Sequence, residues 1–264
     1  MSRIALVIAY NGRHFHGWQL QEDSIPTVQQ TLMSAIARIA DHQVILHCAG
    51  RTDTGVHATK QIVHFDTEAS RPDKAWVMGT NTHLGENVSV HWAGTVDPGF
   101  DARHSATARQ YLYLIHNHRV RSSLMPDYLT RERRPLDADV MHEAAQRLLG
   151  ENDFTSFRAS NCQSLTPMRK MTALDVKRYG DIVAIRVTAN AFLHHMVRNI
   201  AGVLMDIGAG EQRVDWPTEL LQARDRTLAS VTAAPNGLFL IDVEYPAKFG
   251  LPEGPELPHV LQNF

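Results

Sequence analysis

Between two strand-forming runs stands Ala49-Gly50-Arg51-Thr52-Asp53-Thr54-Gly55-Val56-His57-Ala58. It sets a carboxylate, a guanidinium and two hydroxyls side by side in a short loop. Gly50 and Gly55 open backbone conformations closed to other residues, Thr52 and Thr54 offer local hydrogen bonds, and Arg51 and Asp53 carry opposite charges. An ionised carboxylate held there could act as a nucleophile or take up a proton. Gly, Thr and Asp are also ordinary turn residues, so the spacing alone leaves a functional loop and a plain turn both open. A second pair able to do chemistry is His194-His195. Adjacent helical residues point about 100 degrees apart, which suits joint metal ligation poorly. No dinucleotide-binding glycine fingerprint, phosphate-binding loop or zinc-type ligand spacing is present.

These residues need elements to hold them. Ile4, Leu6 and Ile8 recur at period two and predict a first strand; Pro26 suits a first helical position, and Val28, Leu32, Ile36 and Ile39 then mark an amphipathic helix to Ala40. Strands are expected at 44–49 and 61–66, a helix at 73–79, and a strand through Val88, Val90 and Trp92 before the Asp97-Pro98-Gly99 turn. This order reads as a ferredoxin-like split unit. The second half opens with a strand at 108–117, followed by a helix capped by Asp137 and stopped at Gly150. Strands at 171–178, 181–189 and 238–245 enclose a strongly apolar helix at 192–207. The expected fold class is therefore α+β, in two halves with largely antiparallel sheets. The domains are expected at 1–105, carrying the Asp53 loop, and 106–264, completing the site. The segment after Pro246 reads as a loose tail.

Composition narrows the class. Apolar residues make up 44% of the chain, enough for real cores, while charged residues at 20% are too few for a disordered chain. Cys48 and Cys162 are the only cysteines, which predicts neither a disulfide framework nor a cysteine zinc site. Met1-Ser2-Arg3 before a short apolar run is not expected to serve as a signal peptide, and no apolar stretch approaches the ~20 residues that span a bilayer. A cytoplasmic protein without a membrane partner is expected. The net charge of −2 hides two basic stretches, 101–134 and 158–198. These suit either a localised nucleic-acid groove or scattered solvated charges.

The loop at 49–58 resembles the active-site signature of the tRNA pseudouridine synthase A family. The similarity extends to Tyr10-Asn11-Gly12, His16-Gly17-Trp18-Gln19, Phe100-Asp101-Ala102-Arg103-His104-Ser105-Ala106, Gly150-Glu151-Asn152-Asp153-Phe154-Thr155-Ser156-Phe157 and Ala191-Phe192-Leu193-His194-His195-Met196-Val197-Arg198-Asn199-Ile200. These matches run in order along nearly the whole chain. The resemblance implies two ferredoxin-like-derived α+β halves flanking a central RNA-binding cleft, and isomerisation of uridine to pseudouridine at positions 38 to 40 of the tRNA anticodon arm, by a homodimer without metal or organic cofactor. It implies that Asp53 is the essential carboxylate, Arg198 its charge partner and Tyr111 the active-site tyrosine that accepts the C5 proton and stacks on the base. Leu238 would cover the other side of the pocket. Arg51 and Arg71 match positions associated with base flipping. Phe100, Asp101, Ala102, Arg103 and His104 match one RNA-contacting segment, and Asn161, Cys162, Gln163, Ser164 and Leu165 another. Thr54 departs from the pattern at a position where alanine is at least as common.

Three rival readings compete with this one. Asp53-Thr54-Gly55 is also the tripeptide of aspartic proteases, but the chain has no second Asp-Thr-Gly or Asp-Ser-Gly to share the proton. A catalytically silent RNA-binding protein would have no use for Asp53, Tyr111 and Arg198 together. A metal hydrolase on His194 and His195 meets the geometric objection above.

Overall fold

The computed structural model of the chain describes residues 1–21 and 25–258. In chain order its elements are β1 (Ser2–Tyr10), α1 (Val28–Ala40), β2 (His47–Cys48), β3 (His57–Thr67), α2 (Thr80–His83), β4 (Val88–Val96), β5 (Ala108–Asn117), β6 (Thr130–Glu132), α3 (Ala138–Gln146), β7 (Gly150–Asp153), β8 (Met168–Tyr179), β9 (Ile182–Ala189), α4 (Met196–Gly208), α5 (Trp216–Ala223) and β10 (Leu238–Glu244). The fold is mixed α and β with mostly antiparallel strand pairing. Two compact units emerge, one of residues 1–107 together with Phe239 and the described chain after it, the other Ala108–Leu238. The closing strand thus returns to the first unit, whereas its position in the sequence assigns it to the second half.

In the first unit β1 lies between β3 and β4, antiparallel to both; β2 pairs with β3, and β10 adds to β3 in parallel, Phe239 opposite His57. Residues Ile4 to Ile8 of β1 are all buried, as a central strand covered on both faces requires. α1 buries Val28, Leu32, Ala35, Ile36 and Ala40. Its cap is Thr27, whose side chain accepts from the Gln30 N–H at 3.3 Å, so Pro26 lies just outside the helix instead of at its first position. The expected helix at 73–79 is helical from residue 73, widens to π-type winding over Ala75–Gly79, which buries Trp76, and continues into α2.

The segment after Pro246 is no loose tail where it is described. The Glu256 N–H donates to the Ile241 carbonyl at 3.0 Å, Thr59 Oγ1 donates to the Glu256 carbonyl, and Lys60 Nζ donates to the Gly254 carbonyl. Lys60 is 1% exposed and forms an ion pair with Asp242 at 2.7 Å, so the returning chain helps to enclose a buried charge pair. Positions from 259 onward lie outside the described residues.

The second unit has the strand order β5-β9-β8-β7, antiparallel throughout, with the short β6 parallel to β5. Asp137 caps α3 by accepting from the Asp139 and Val140 N–H groups. The helix ends before Leu148, and Gly150, at φ 89°, turns the chain into β7. α4 is the apolar centre, with Ile200, Ala201, Val203, Leu204 and Ile207 all buried. It packs on α3 closely enough that a side chain on Gly208 would meet Met141 Cγ at 2.6 Å.

Candidate active site

Asp53 occupies the loop joining β2 to β3 and is half-buried. The loop is fixed before any ligand arrives. Tyr10 Oη and Thr52 Oγ1 are hydrogen-bonded at 2.8 Å, the Trp18 N–H donates to the Thr52 carbonyl at 3.0 Å, and Gln61 Nε2 donates to the Gly50 carbonyl at 2.6 Å. The Val56 N–H returns to the Asp53 carbonyl at 3.1 Å. Two glycines explain why distant motifs accompany the loop. A Cβ on Gly12 would fall 1.9 Å from the Val56 carbonyl oxygen, and one on Gly17, at φ +85°, would fall 2.7 Å from that of Thr52. The Gly12 N–H also donates to His57 Nδ1 at 3.1 Å. Tyr10-Asn11-Gly12 and His16-Gly17-Trp18 are thus the floor on which the aspartate loop rests. Burial pushes the Cys48 thiol up to about 12 against the lowering influence of Arg51 and Arg103, which keeps it protonated and unreactive.

Arg51 is exposed beside the aspartate. Arg71 is exposed as well, and its Nε donates to the Ile39 carbonyl near the C-terminus of α1. Within 100–104 the five residues divide sharply. Phe100 and Ala102 are fully buried, Phe100 packing on Tyr245 and Phe249 with ring centroids 5.1 Å away in each case. Ala102 is held at both backbone groups: its N–H donates to His64 Nδ1 at 3.1 Å, and its carbonyl accepts from Tyr245 Oη at 2.6 Å. Asp101 accepts from the N–H groups of Arg103 and His104, both at 2.8 Å. Burial works to raise its pKa, but these N–H donors outweigh it and hold the carboxyl below its usual range. Side-chain contact from this segment therefore falls to the exposed Arg103 and His104. Nothing in the composition of the segment separates the anchors from the presenters.

In the second unit Tyr111 and Tyr113 share one face of β5 but not one role. Tyr113 is fully buried, with its hydroxyl bonded to Thr130 Oγ1 at 2.7 Å and the Ala234 carbonyl at 2.8 Å; burial raises its pKa and keeps it protonated. Tyr111 is 8% exposed and meets Phe192 edge-on, ring centroids 5.0 Å apart. Arg198 lies in the first turn of α4, half-buried, its Nε donating to the Ala233 carbonyl at 2.8 Å while the Ala233 N–H donates back to the Arg198 carbonyl at 3.2 Å. The loop carrying Ala233 approaches because residue 202 is glycine; a Cβ there would lie 2.4 Å from the Val231 carbonyl oxygen.

Sequence reasoning missed Asn199. Fully buried, it donates to the Phe157 carbonyl at 2.8 Å and accepts from Thr232 Oγ1 at 2.7 Å and Arg226 at 3.1 Å, tying α4 to the loops around it. Its place beside Arg198 inside a matched motif was the available signal. His195, just before α4, sits at φ 62°. That left-handed conformation costs a non-glycine residue about 1 kcal/mol or more. The His194 and His195 rings lie 4.0 Å apart, and His194 Nδ1 is bonded to Asn161 Oδ1 at 2.8 Å. Leu238, which opens β10, is buried.

Segment 161–165 exposes Asn161, Gln163 and Leu165 and half-buries Cys162 and Ser164. For Cys162, burial is outweighed by the His194 and Ser164 N–H groups and the Arg158 charge, which draw its pKa below the usual thiol value. Several arginines of the two basic stretches bond to the protein itself. Arg109 donates to the Asn190 carbonyl, Arg178 to that of Leu136, and Arg134 pairs with Glu132, Asp206 and Glu211.

Comparison with known proteins gives one consistent answer. A family model described as "tRNA pseudouridine synthase" matches residues 6–104 and 144–246. A protein of Pseudoalteromonas atlantica named tRNA pseudouridine synthase A is 53% identical over 251 residues, covering 95% of each chain. Proteins of the same name from Actinobacillus succinogenes and Photorhabdus laumondii are 51% and 52% identical, covering 99% and 95% of this chain and 98% and 94% of their own. The chain belongs to the tRNA pseudouridine synthase family.

Proposed function

We propose that this isomerase converts uridine to pseudouridine at positions 38 to 40 of the tRNA anticodon arm, with Asp53 as its catalytic carboxylate and no added cofactor. In that reaction the bond from ribose C1' to N1 breaks, the uracil turns, and a bond from C1' to C5 forms. The proton on C5 is lost and N1 gains one, so the base composition is unchanged. Asp53 supplies the ionised oxygen on which bond cleavage depends. Tyr111 stacks on the extruded base and takes the C5 proton, and Arg198 keeps the carboxylate ionised as the site closes over it. Leu238 covers the base, and Arg51 and Arg71 assist its extrusion, which costs about a few kcal/mol. Arg103 and His104 bind the backbone of the RNA, and residues 161–165 form a second RNA-contacting segment.

The observation that carries this reading is the rigid seating of the Asp53 loop on Gly12 and Gly17, in a chain about half identical to synthases along its whole length. A loop whose neighbours all serve to fix one half-buried carboxylate suits a catalytic group better than a surface turn. The ferredoxin-like origin of the two halves, the RNA-binding cleft they flank, the homodimer and the 38–40 specificity belong to the same proposal and rest on the family resemblance. The test is mass-mapping of pseudouridine in tRNA incubated with the pure protein alone. The proposal expects product confined to the anticodon arm; product elsewhere, or none, overturns it.

A further inference from the structure

Among the described residues neither Arg158 nor Arg169 forms an ion pair with a carboxylate. Both turn their forks onto one short stretch of backbone. Arg158 donates to the carbonyls of Cys162 and Ser164, each at 2.7 Å. Arg169, only 8% exposed, donates to the Thr166 and Met168 carbonyls at 3.0 and 2.6 Å and to Ser164 Oγ at 2.6 Å. Ser164 Oγ passes a further bond to the Thr166 carbonyl at 3.1 Å. Burying a guanidinium without a counter-ion is costly, and a fold that only needed the loop closed could have used neutral donors.

What this frame presents is an apolar side chain in full contact with water. Leu165 is 101% exposed at the tip, flanked by the exposed Gln163 and Thr166. A leucine held out on stiff backbone contributes nothing to the core. Two uncompensated positive charges beneath it favour a polyanion as the occupant over an apolar protein surface. Apolar side chains that meet nucleic acid in this way pack against the face of a base or wedge between neighbouring bases.

We infer that Arg158 and Arg169 are positioning residues that hold 161–166 in a preformed shape, and that Leu165 packs against an unstacked base of the RNA. The inference rests on the proposed tRNA activity and adds to it a mode of contact and the two residues that set it. Phosphate contacts are read through salt dependence, whereas an apolar contact leaves that dependence unchanged.

The test compares wild type with Leu165→Ser, Leu165→Phe, Arg158→Lys and Arg169→Lys, measuring tRNA affinity at several salt concentrations, kcat and KM. Wild-type turnover on tRNA comes first, since its absence would defeat the activity itself and not this inference. With activity present, Leu165→Ser should weaken affinity about tenfold at an unchanged salt slope, as expected for one partly buried leucine, and Leu165→Phe should preserve it. Arg158→Lys keeps the charge but loses the fork, and should raise KM several-fold with kcat and melting temperature held; Arg169→Lys should do the same if it folds. Affinity within about twofold of wild type for Leu165→Ser would overturn the contact. Full rescue by both lysine variants would overturn the positioning role. A change in oligomeric state of RNA-free Leu165→Ser would assign the leucine to a protein interface and overturn the RNA reading.

Discussion

Tyr111 and Tyr113 show how two identical residues, two positions apart on one strand, are put to different use. Tyr113 commits its hydroxyl inside the protein, to Thr130 and the Ala234 carbonyl. Tyr113→Phe should therefore lower stability by about 1–3 kcal/mol, because a buried carbonyl loses its donor, while leaving turnover per folded molecule unchanged. The expectation reverses for Tyr111→Phe. It keeps the ring against Phe192 and should fold normally, yet lose on the order of a hundredfold or more in turnover with tRNA affinity retained. Thermal melts and single-turnover rates on the two variants separate the roles, and full activity of Tyr111→Phe would remove it from the chemistry. At this scale the sequence is informative about residue types and poor about direction. Phe100 and Ala102 sit in the same motif as Arg103 and look equally available, but burial, which depends on where Tyr245 and Phe249 return, decides that they anchor and do not touch.

Elements are readable where a single local signal controls them. β5 matches its expected span because Tyr111 to Ile115 form an unbroken apolar run that is buried on both faces, and Asp137 caps α3 as its residue type predicts. Failures occur where partners distant in the sequence decide. The expected strand at 44–49 shrinks to His47–Cys48, which stand in register with His64 and Val63 of β3, with one further bond from the Ala49 N–H to the Ile62 carbonyl. The chain after Pro246 orders because Thr59 and Lys60, nearly two hundred residues earlier, offer it donors. α5 escapes sequence reading altogether: Trp216–Ala223 is too short to show a period. One element-scale dependence is measurable with acid. His64 on β3 is 3% exposed and accepts the Ala102 N–H; burial, then the charges of Arg3 and His47, lower its pKa to about 4. Between the ordinary value of about 6.5 and that lowered one, the unfolded chain binds a proton that the folded chain refuses. The stability tied to this neutral imidazole is thus complete above about pH 6.5 and drains away as the pH falls toward about 4. Denaturant midpoints across that window should fall for wild type and fall less for His64→Gln, which cannot titrate; parallel curves would show that His64 is not the group responsible.

For the whole molecule, the net charge of −2 conceals a division of labour among the arginines. Arg109 is buried and Arg134 is paired with three carboxylates, so simple counting over the basic stretches overstates the charge available to RNA. Arg103 is exposed on a segment whose backbone is clamped from both sides. Arg103→Ala should weaken tRNA binding and reduce the slope of log affinity against log salt by about one phosphate contact. An unchanged slope would place Arg103 outside the interface. The most direct test of the whole account is the charge on residue 53. Asp53→Asn preserves the size of the side chain and the loop bonds made by Thr52, Gly50 and Val56, and removes only the ionised oxygen. With the variant at saturating concentration over anticodon-arm RNA, mass-mapping should find no pseudouridine while binding stays within a few-fold of wild type; appreciable product from that variant would contradict the assignment.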